Sequence, residues 1–165
     1  MLAYLPAICE RLMGEPLLLP SVKTLWCGNP EALEEVIDDL QSLVIKPAFP
    51  RPGLSEPIFG ESLSMVEREA LIGELRAHPT RHVAQARALF STAPSYLDEG
   101  VTALPLSIRS YAVDDGDGYC AMAGGLARVS RDLAFPKISM QHGAGSKDTW
   151  VLADGPVRQV SLSRC

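Results

Sequence analysis

Apolar residues recur at helical spacing in three segments of the first half of the chain. The clearest segment follows Asn29 and Pro30, a side-chain cap and a first-turn proline, and its apolar residues lie at i, i+3, i+4 and i+7 from Leu33 to Leu40. Another segment opens at Ser64, which stands three residues before a glutamate in a capping-box pattern. The predicted helices are Leu5–Met13, Asn29 to Leu40, and Ser64 to about Ala77.

The second half of the chain is dominated by period-two alternation, which predicts β-strands. In Leu104–Val113 the alternation places Arg109 on the side away from the core, and Asp114–Gly118 (DDGDG) is a predicted hairpin turn. Trp26 is predicted to be the buried anchor of an earlier strand. The predicted strands are Ser21–Cys27, Leu43–Ile45, His82–Ala86 with an extension over Leu89–Pro94, Leu104–Val113, Tyr119–Ala123, Asp148–Ala153 and Val157–Leu162. About three helices followed by a largely antiparallel sheet indicate an α+β fold.

Composition and charge narrow the classes of function. At 165 residues, 47% hydrophobic and 21% charged, the chain fits one soluble globular domain. Its formal charge of −5 and its lack of a basic cluster argue against a surface that binds nucleic acid or an anionic membrane. The chain shows no positively charged leader and no apolar run of bilayer length, so we expect a cytoplasmic protein without a membrane segment. The four cysteines are too scattered for a zinc site or a disulfide framework.

The candidate chemistry lies in cations that stand beside turns. The short apolar run Leu43–Ile45 ends in Lys46, and a proline-rich loop continues from there to Gly60. A lysine in this place can clamp phosphate oxygens, although a strand-end lysine is also commonly a solvated surface residue. The other cations near glycine turns or strand ends are Arg109, Arg128 and Lys147. Because glycine lets backbone amides approach an anion closely, the four cations together predict an anion-binding face.

Five stretches of the chain form a larger pattern. They are LVIKPAFPRPGLSEPIFG, HVAQARALFSTAP, LPLSIRSYAV, AMAGGLARVS and SMQHGAGSKDTWVL. Together they resemble the C-terminal part of the circularly permuted ATP-grasp family, the type 2 group related in fold to glutathionylspermidine synthetase. The resemblance implies a ligase that uses ATP to form an acyl phosphate from a small carboxylate and then joins it to an amine. It also implies that residues 1–165 are a single partial domain, one half of an ATP-grasp-like fold.

The resemblance assigns nucleotide-binding roles to particular residues. Lys46 would contact the phosphates of ATP, and Pro52–Gly60 would be the mobile loop that covers them, with Gly60 as a cofactor-binding residue. The strand His82–Ala86 would be the hinge whose backbone reads adenine, with Gln85 among the residues that bind the nucleotide. Ala86 replaces the acidic residue that is usual after this glutamine.

The resemblance also implies a catalytic pair. Arg109 and Arg128 match the family's strand arginine and the arginine of its G-G-L-x-R element, and they would hold phosphate or a substrate carboxylate. Lys147 would contact an anion, next to Asp148 in a structural role.

The magnesium ligands are the main departure from the family pattern. ATP-grasp catalysis needs magnesium held by carboxylates and usually an asparagine. Asn29 is the only asparagine, and it already has a capping role, which leaves Glu56 and Glu61 as candidates near the loop. The resemblance implies that an upstream region supplies these ligands. The chain is therefore expected to act with a complementary N-terminal half or to self-associate through uncovered apolar surface.

The sequence favours the nucleotide-binding part of an ATP-dependent carboxylate–amine ligase that is inactive alone. A degenerate, non-catalytic binding or interaction module that keeps the fold stays open as an alternative. A phosphate or nucleotide sensor that binds without magnesium also stays open.

Overall fold

The computed structural model describes residues 1–49, 56–97, 100–133 and 144–156. The chain divides into two compact units, Met1–Leu89 and Phe90–Cys165, and each is described by itself. The predicted fold class is confirmed, because the described residues form three α-helices and antiparallel sheets in an α+β arrangement. Among the described residues, none of the helices has the length and apolar composition needed to cross a bilayer.

The first unit contains all three helices. They are α1 (Leu5–Met13), α2 (Pro30–Asp38) and α3 (Met65–Ala77). Gly14 ends α1 in the left-handed region at φ 72°, where glycine carries no steric penalty. The backbone N–H of Glu31 donates to Asn29 Oδ1 over 3.0 Å at the start of α2. The expected capping box opens α3, with the Ser64 N–H donating to Glu67 Oε2 over 2.9 Å. The predicted helix starts are thus confirmed, whereas α2 ends two residues before Leu40.

A four-stranded antiparallel sheet completes the first unit. Its strands are β1 (Thr24–Trp26), β2 (Leu43–Pro47), β3 (Ile58–Phe59) and β4 (His82–Ala86), in the order β1-β4-β2-β3. One face packs against apolar side chains of α2 and α3. The core residues are Cys27, Val36, Leu40, Leu43, Ile45, Leu71, Leu75 and Ala84. Val44, on the opposite face, is also buried, as expected for a strand that is covered on both sides.

The second unit is built from strands. They are β5 (Thr92–Leu97), β6 (Gly100–Arg109), β7 (Ala112–Asp114), β8 (Tyr119–Ala121), β9 (Leu126–Val129) and β10 (Gly145–Lys147). One antiparallel sheet has the order β10-β9-β6-β5, and its buried side chains include Leu104, Ala127 and Val129. The predicted hairpin is confirmed, because β7 and β8 pair across the DDGDG turn.

Two of the strand predictions, the extension of β4 and Asp148–Ala153, were wrong. The segment predicted to extend β4, Leu89–Pro94, instead includes the start of β5, a separate strand that pairs with β6 from Thr92 opposite Pro105 to Leu97 opposite Gly100. No strand forms over Asp148–Ala153, where Trp150 is 89% exposed. The strand of this region forms earlier in the chain, in the glycine-rich segment, where β10 (Gly145–Lys147) pairs with β9. The predicted strand Val157–Leu162 lies outside the described residues.

Candidate functional site

A cavity of about 360 Å³ opens on the face of the first sheet that is turned away from α2 and α3. Thr24 pairs with Gln85, while Trp26 and Lys46 each pair with Val83. Paired residues share a face and alternate residues along a strand do too, so these five side chains form one surface. That surface lines the cavity, together with the residues of the N-terminal turn and those after β2.

Lys46 is the cation of this cavity. Its side chain is half-buried, and its Nζ donates a hydrogen bond to Gln85 Oε1 over 2.5 Å. The other end of the same amide, Gln85 Nε2, donates to Thr24 Oγ1 over 2.9 Å. Desolvation lowers the pKa of Lys46 from its usual value because burial disfavours the ammonium. Lys46 is therefore not the fully solvated strand-end lysine that was the alternative interpretation. It lies beside Gln85, which was also predicted to bind the nucleotide.

Aromatic side chains provide the apolar walls of the cavity. The Trp26 indole Nε1 donates to the carbonyl oxygen of Thr80 over 3.2 Å, and its ring meets Tyr4 edge to face with centroids 6.5 Å apart. Phe49 also lines the cavity and is 80% exposed. Trp26 is thus half-buried beside the cavity and is not the buried strand anchor that was predicted. Aromatic walls with a cation at one end suit a ligand that has a flat apolar part and an anionic part.

Gly60 does not line this cavity. It is buried, and a Cβ at this position would lie 1.8 Å from the carbonyl oxygen of Leu40. The glycine is therefore required for close packing of two turns, Leu40–Ser42 and Gly60–Ser62. The first four residues of the predicted covering loop Pro52–Gly60, residues 52–55, lie outside the described residues.

Arg109, Arg128 and Lys147 lie in the second unit, and the register of its strands places them on two different faces of the sheet. Arg109 pairs with Leu126, and Arg128 lies two residues further along β9, so both arginines are on one face of the sheet. Lys147 pairs with Ala127 and lies on the opposite face, where its Nζ donates to the carbonyl oxygen of Pro94. The register therefore does not bring Lys147 to the face of the two arginines.

Arg128 has a distinct polar environment. Its direct neighbours across the sheet are Ser107 on β6 and Ser146 on β10. Its Nε is buried and has no hydrogen-bond partner among the described residues, whereas Arg109 is exposed. At the preceding turn, a Cβ on Gly125 would lie 2.8 Å from the carbonyl oxygen of Arg109, so glycine permits the close approach of this turn to β6.

The described residues do not fit a magnesium site. They contain no group of three or more histidine, cysteine, aspartate or glutamate side chains that could hold a metal ion. Asn29 caps α2, and Glu61 forms an ion pair with Arg87. In the described parts of the chain, the predicted candidates therefore do not assemble into the carboxylate and amide cluster that magnesium requires.

Comparisons with known proteins identify the family. The family model of circularly permuted ATP-grasp type 2 matches residues 1–130. The chain belongs to this family, whose members generally use ATP and magnesium. An uncharacterised protein of Mycobacterium tuberculosis is 34% identical over 150 residues, which are 91% of this chain and 27% of the relative. An uncharacterised protein of Synechocystis is 32% identical over 150 residues, 91% of this chain and 31% of the relative.

Relatives with a ligase name also match. The putative glutamate–cysteine ligase 2-3 of Frankia alni is 31% identical over 149 residues, which are 90% of this chain and 17% of that protein. The chain thus spans less than a third of the length of each of these curated relatives.

Most of the residues that line the cavity were not predicted from the sequence as site residues, among them Tyr4, Thr24 and Trp26. The available signal was the spacing of Thr24 and Trp26, because residues two apart on a strand share a face. The spacing alone does not indicate a site, because the sequence does not show that the neighbouring strand places Gln85 and Val83 opposite these residues.

Proposed function

We propose that the first unit binds the phosphates of ATP at Lys46, with the adenine or ribose against the aromatic walls of the cavity. The observation that carries this proposal is the half-buried Lys46 ammonium, held over the cavity by its 2.5 Å hydrogen bond to Gln85. An ammonium with reduced hydration is a stronger partner for a phosphate oxygen than a solvated one, because less water must be displaced. Membership of an ATP-grasp family supports the nucleotide as the ligand.

The reaction to which this site contributes is ATP-dependent carboxylate–amine ligation. A carboxylate oxygen attacks the γ-phosphorus of ATP and ADP leaves, and an amine then attacks the acyl carbon and phosphate leaves. Arg109 and Arg128 would bind phosphate or the substrate carboxylate on the sheet face that they share. Lys147 would bind an anion on the opposite face of the same sheet. The Frankia relatives named as putative glutamate–cysteine ligases support a ligase class, although that name belongs to the whole of those proteins.

The chain alone is proposed to be the C-terminal, nucleotide-binding portion of a larger permuted domain with a glutathionylspermidine synthetase-like fold. Its described residues hold no magnesium ligand cluster, and it spans 27% of the Mycobacterium tuberculosis relative. Loss of metal ligands from a phosphoryl-transfer site costs orders of magnitude in rate. We therefore expect no ligase turnover by the isolated chain, and restored turnover when a segment with these ligands is supplied.

Calorimetric titration with ATP and ADP tests the nucleotide site. The wild type should bind, Lys46→Ala should lose the binding, and Lys23→Ala should keep it. Lys23 is the matched control because it lies in the same unit, outside the cavity, in an exposed ion pair with Glu35. Equal binding by wild type and Lys46→Ala would overturn the assignment.

The second candidate function is a degenerate binding module that retains the fold. The observation that favours it is the absence of a metal-ligand cluster among the described residues. It predicts nucleotide binding that does not change with magnesium, and no turnover after any complementary segment is added.

A further inference from the structure

A row of three polar side chains crosses the first sheet beneath the cavity. Thr24 on β1 pairs directly with Gln85 on β4, and Lys46 lies on β2 on the same face. Hydrogen bonds connect the row from Lys46 Nζ to Gln85 Oε1 and from Gln85 Nε2 to Thr24 Oγ1. Thr24 Oγ1 in turn donates to the carbonyl oxygen of Val22 over 2.9 Å. The backbone that leads into β1 thus fixes one end of the row, and the Lys46 ammonium lies at the other.

The bond to Val22 sets the direction of the whole row. A threonine hydroxyl has one hydrogen, and this one is used on the Val22 carbonyl, so only a lone pair remains to face Gln85. The amide of Gln85 must therefore present its NH₂ group to Thr24 and its oxygen to Lys46. The opposite orientation would place two donors together at Lys46 and two acceptors together at Thr24.

This orientation prepares Lys46 for an anionic ligand. The Gln85 oxygen accepts one of the three ammonium hydrogens and holds Nζ at the cavity, which leaves two hydrogens for a ligand. A free lysine side chain would lose considerable rotamer freedom on binding, whereas an anchored one has already lost it.

We propose that Thr24 is a positioning residue for nucleotide binding, which acts by locking the Gln85 amide with its oxygen toward Lys46. This proposal rests on the phosphate site proposed above at Lys46. Thr24 acts through Gln85 and is not required to touch the phosphates.

The test is calorimetric ATP binding by variants of matched shape. Thr24→Val keeps the shape but removes the acceptor, and we expect it to weaken ATP binding about fivefold to tenfold, the equivalent of one lost hydrogen bond. Thr24→Ser keeps the hydroxyl, and its ATP affinity should stay within about twofold of the wild-type affinity. Thr80→Val is the matched control, because Thr80 is exposed and contributes its backbone carbonyl rather than its side chain.

A spectroscopic measurement separates positioning from general loss of structure. The side-chain amide resonances of Gln85 should move in Thr24→Val but not in Thr80→Val, while the backbone amide spectrum of the unit stays that of the folded protein. Should Thr24→Val fold poorly, Gln85→Leu tests the same row from its centre, and wild-type affinity in folded Gln85→Leu would overturn the proposal.

The outcomes for the two proposals are distinguishable. Wild-type affinity in folded Thr24→Val, with binding lost in Lys46→Ala, would overturn the positioning role and leave the phosphate site intact. Wild-type affinity in Lys46→Ala would overturn the phosphate site itself. Loss of affinity in Thr24→Val without rescue by Thr24→Ser would also contradict the role assigned to the hydroxyl.

Discussion

Gly60→Ala is expected to destabilise the first unit through a backbone clash. The added Cβ would lie 1.8 Å from the Leu40 carbonyl oxygen and 2.7 Å from its carbon, whereas real Cβ contacts essentially never fall below 3.0 Å. The obstacle is backbone, and Leu40 is a fully buried core residue, so the clash is relieved only if two turns separate and the core loosens. Overpacked positions typically cost 1–3 kcal/mol. Because backbone must move here, we expect a loss of about 3 kcal/mol, a large fraction of the roughly 5–15 kcal/mol that holds a domain folded.

Gly73→Ala provides the matched control with the opposite sign. Gly73 lies inside α3, is exposed, and a Cβ there would meet nothing within 4 Å. Alanine should therefore stabilise the helix by about 0.5–1 kcal/mol. Urea denaturation followed by far-UV circular dichroism compares both variants with wild type. A Gly60→Ala midpoint equal to that of wild type would refute the packing explanation, and a loss of ATP affinity at unchanged stability would favour a cofactor role instead.

The other predictions concern titration, thiol reactivity and capping. Desolvation lowers the pKa of Lys46, so its ammonium loses its proton at a lower pH than that of an ordinary lysine. ATP affinity, measured by calorimetric titration, should therefore fall as the pH rises toward 10. The variant Lys46→Arg keeps its charge over this range and should show a smaller fall in affinity. Burial raises the pKa of Cys27 to about 11, and a hydrogen bond to its own backbone opposes this shift only in part. In a variant whose other cysteines are replaced by serine, a thiol reagent at pH 8 should therefore label Cys27 only after unfolding. Rapid labelling of the folded protein would contradict this expectation. Ser64→Ala removes the cap of α3 and should lower the free energy of unfolding by about 1 kcal/mol in urea titrations at pH 7, and an unchanged value would show that the cap is dispensable.

Local signals in the sequence were sufficient for the helices and for part of the site. Asn29, Ser64 and Gly14 mark helix ends through their own side chain or backbone conformation, and the structure places each as a cap. The apolar run before Lys46 identified a strand covered on both faces, which also placed the lysine at its end. These features depend on neighbours within a few residues, so a single sequence contains them.

Features that depend on pairing between distant strands could not be read in the same way. The face that Lys147 occupies is decided by its register opposite Ala127, and a shift of one residue would have moved it to the face of the arginines. A strand that contains Trp150 was predicted over Asp148–Ala153, but the residues that pair with β9 are Gly145–Lys147. Thr24 became a site residue only when β1 paired with β4 and brought it opposite Gln85, 61 residues away.

The most direct test of the nucleotide site is to map where ATP binds on the folded protein. Isotope-labelled protein titrated with ATP and observed by two-dimensional NMR should show its largest shifts at the cavity, in the backbone amides of Lys46, Val83 and Gln85 and in the Trp26 indole. Lys46→Ala should abolish those shifts, and Lys23→Ala should retain them. Shifts confined to the strands that carry Arg109 and Arg128, or no shifts at millimolar ATP, would contradict a nucleotide site in the first unit.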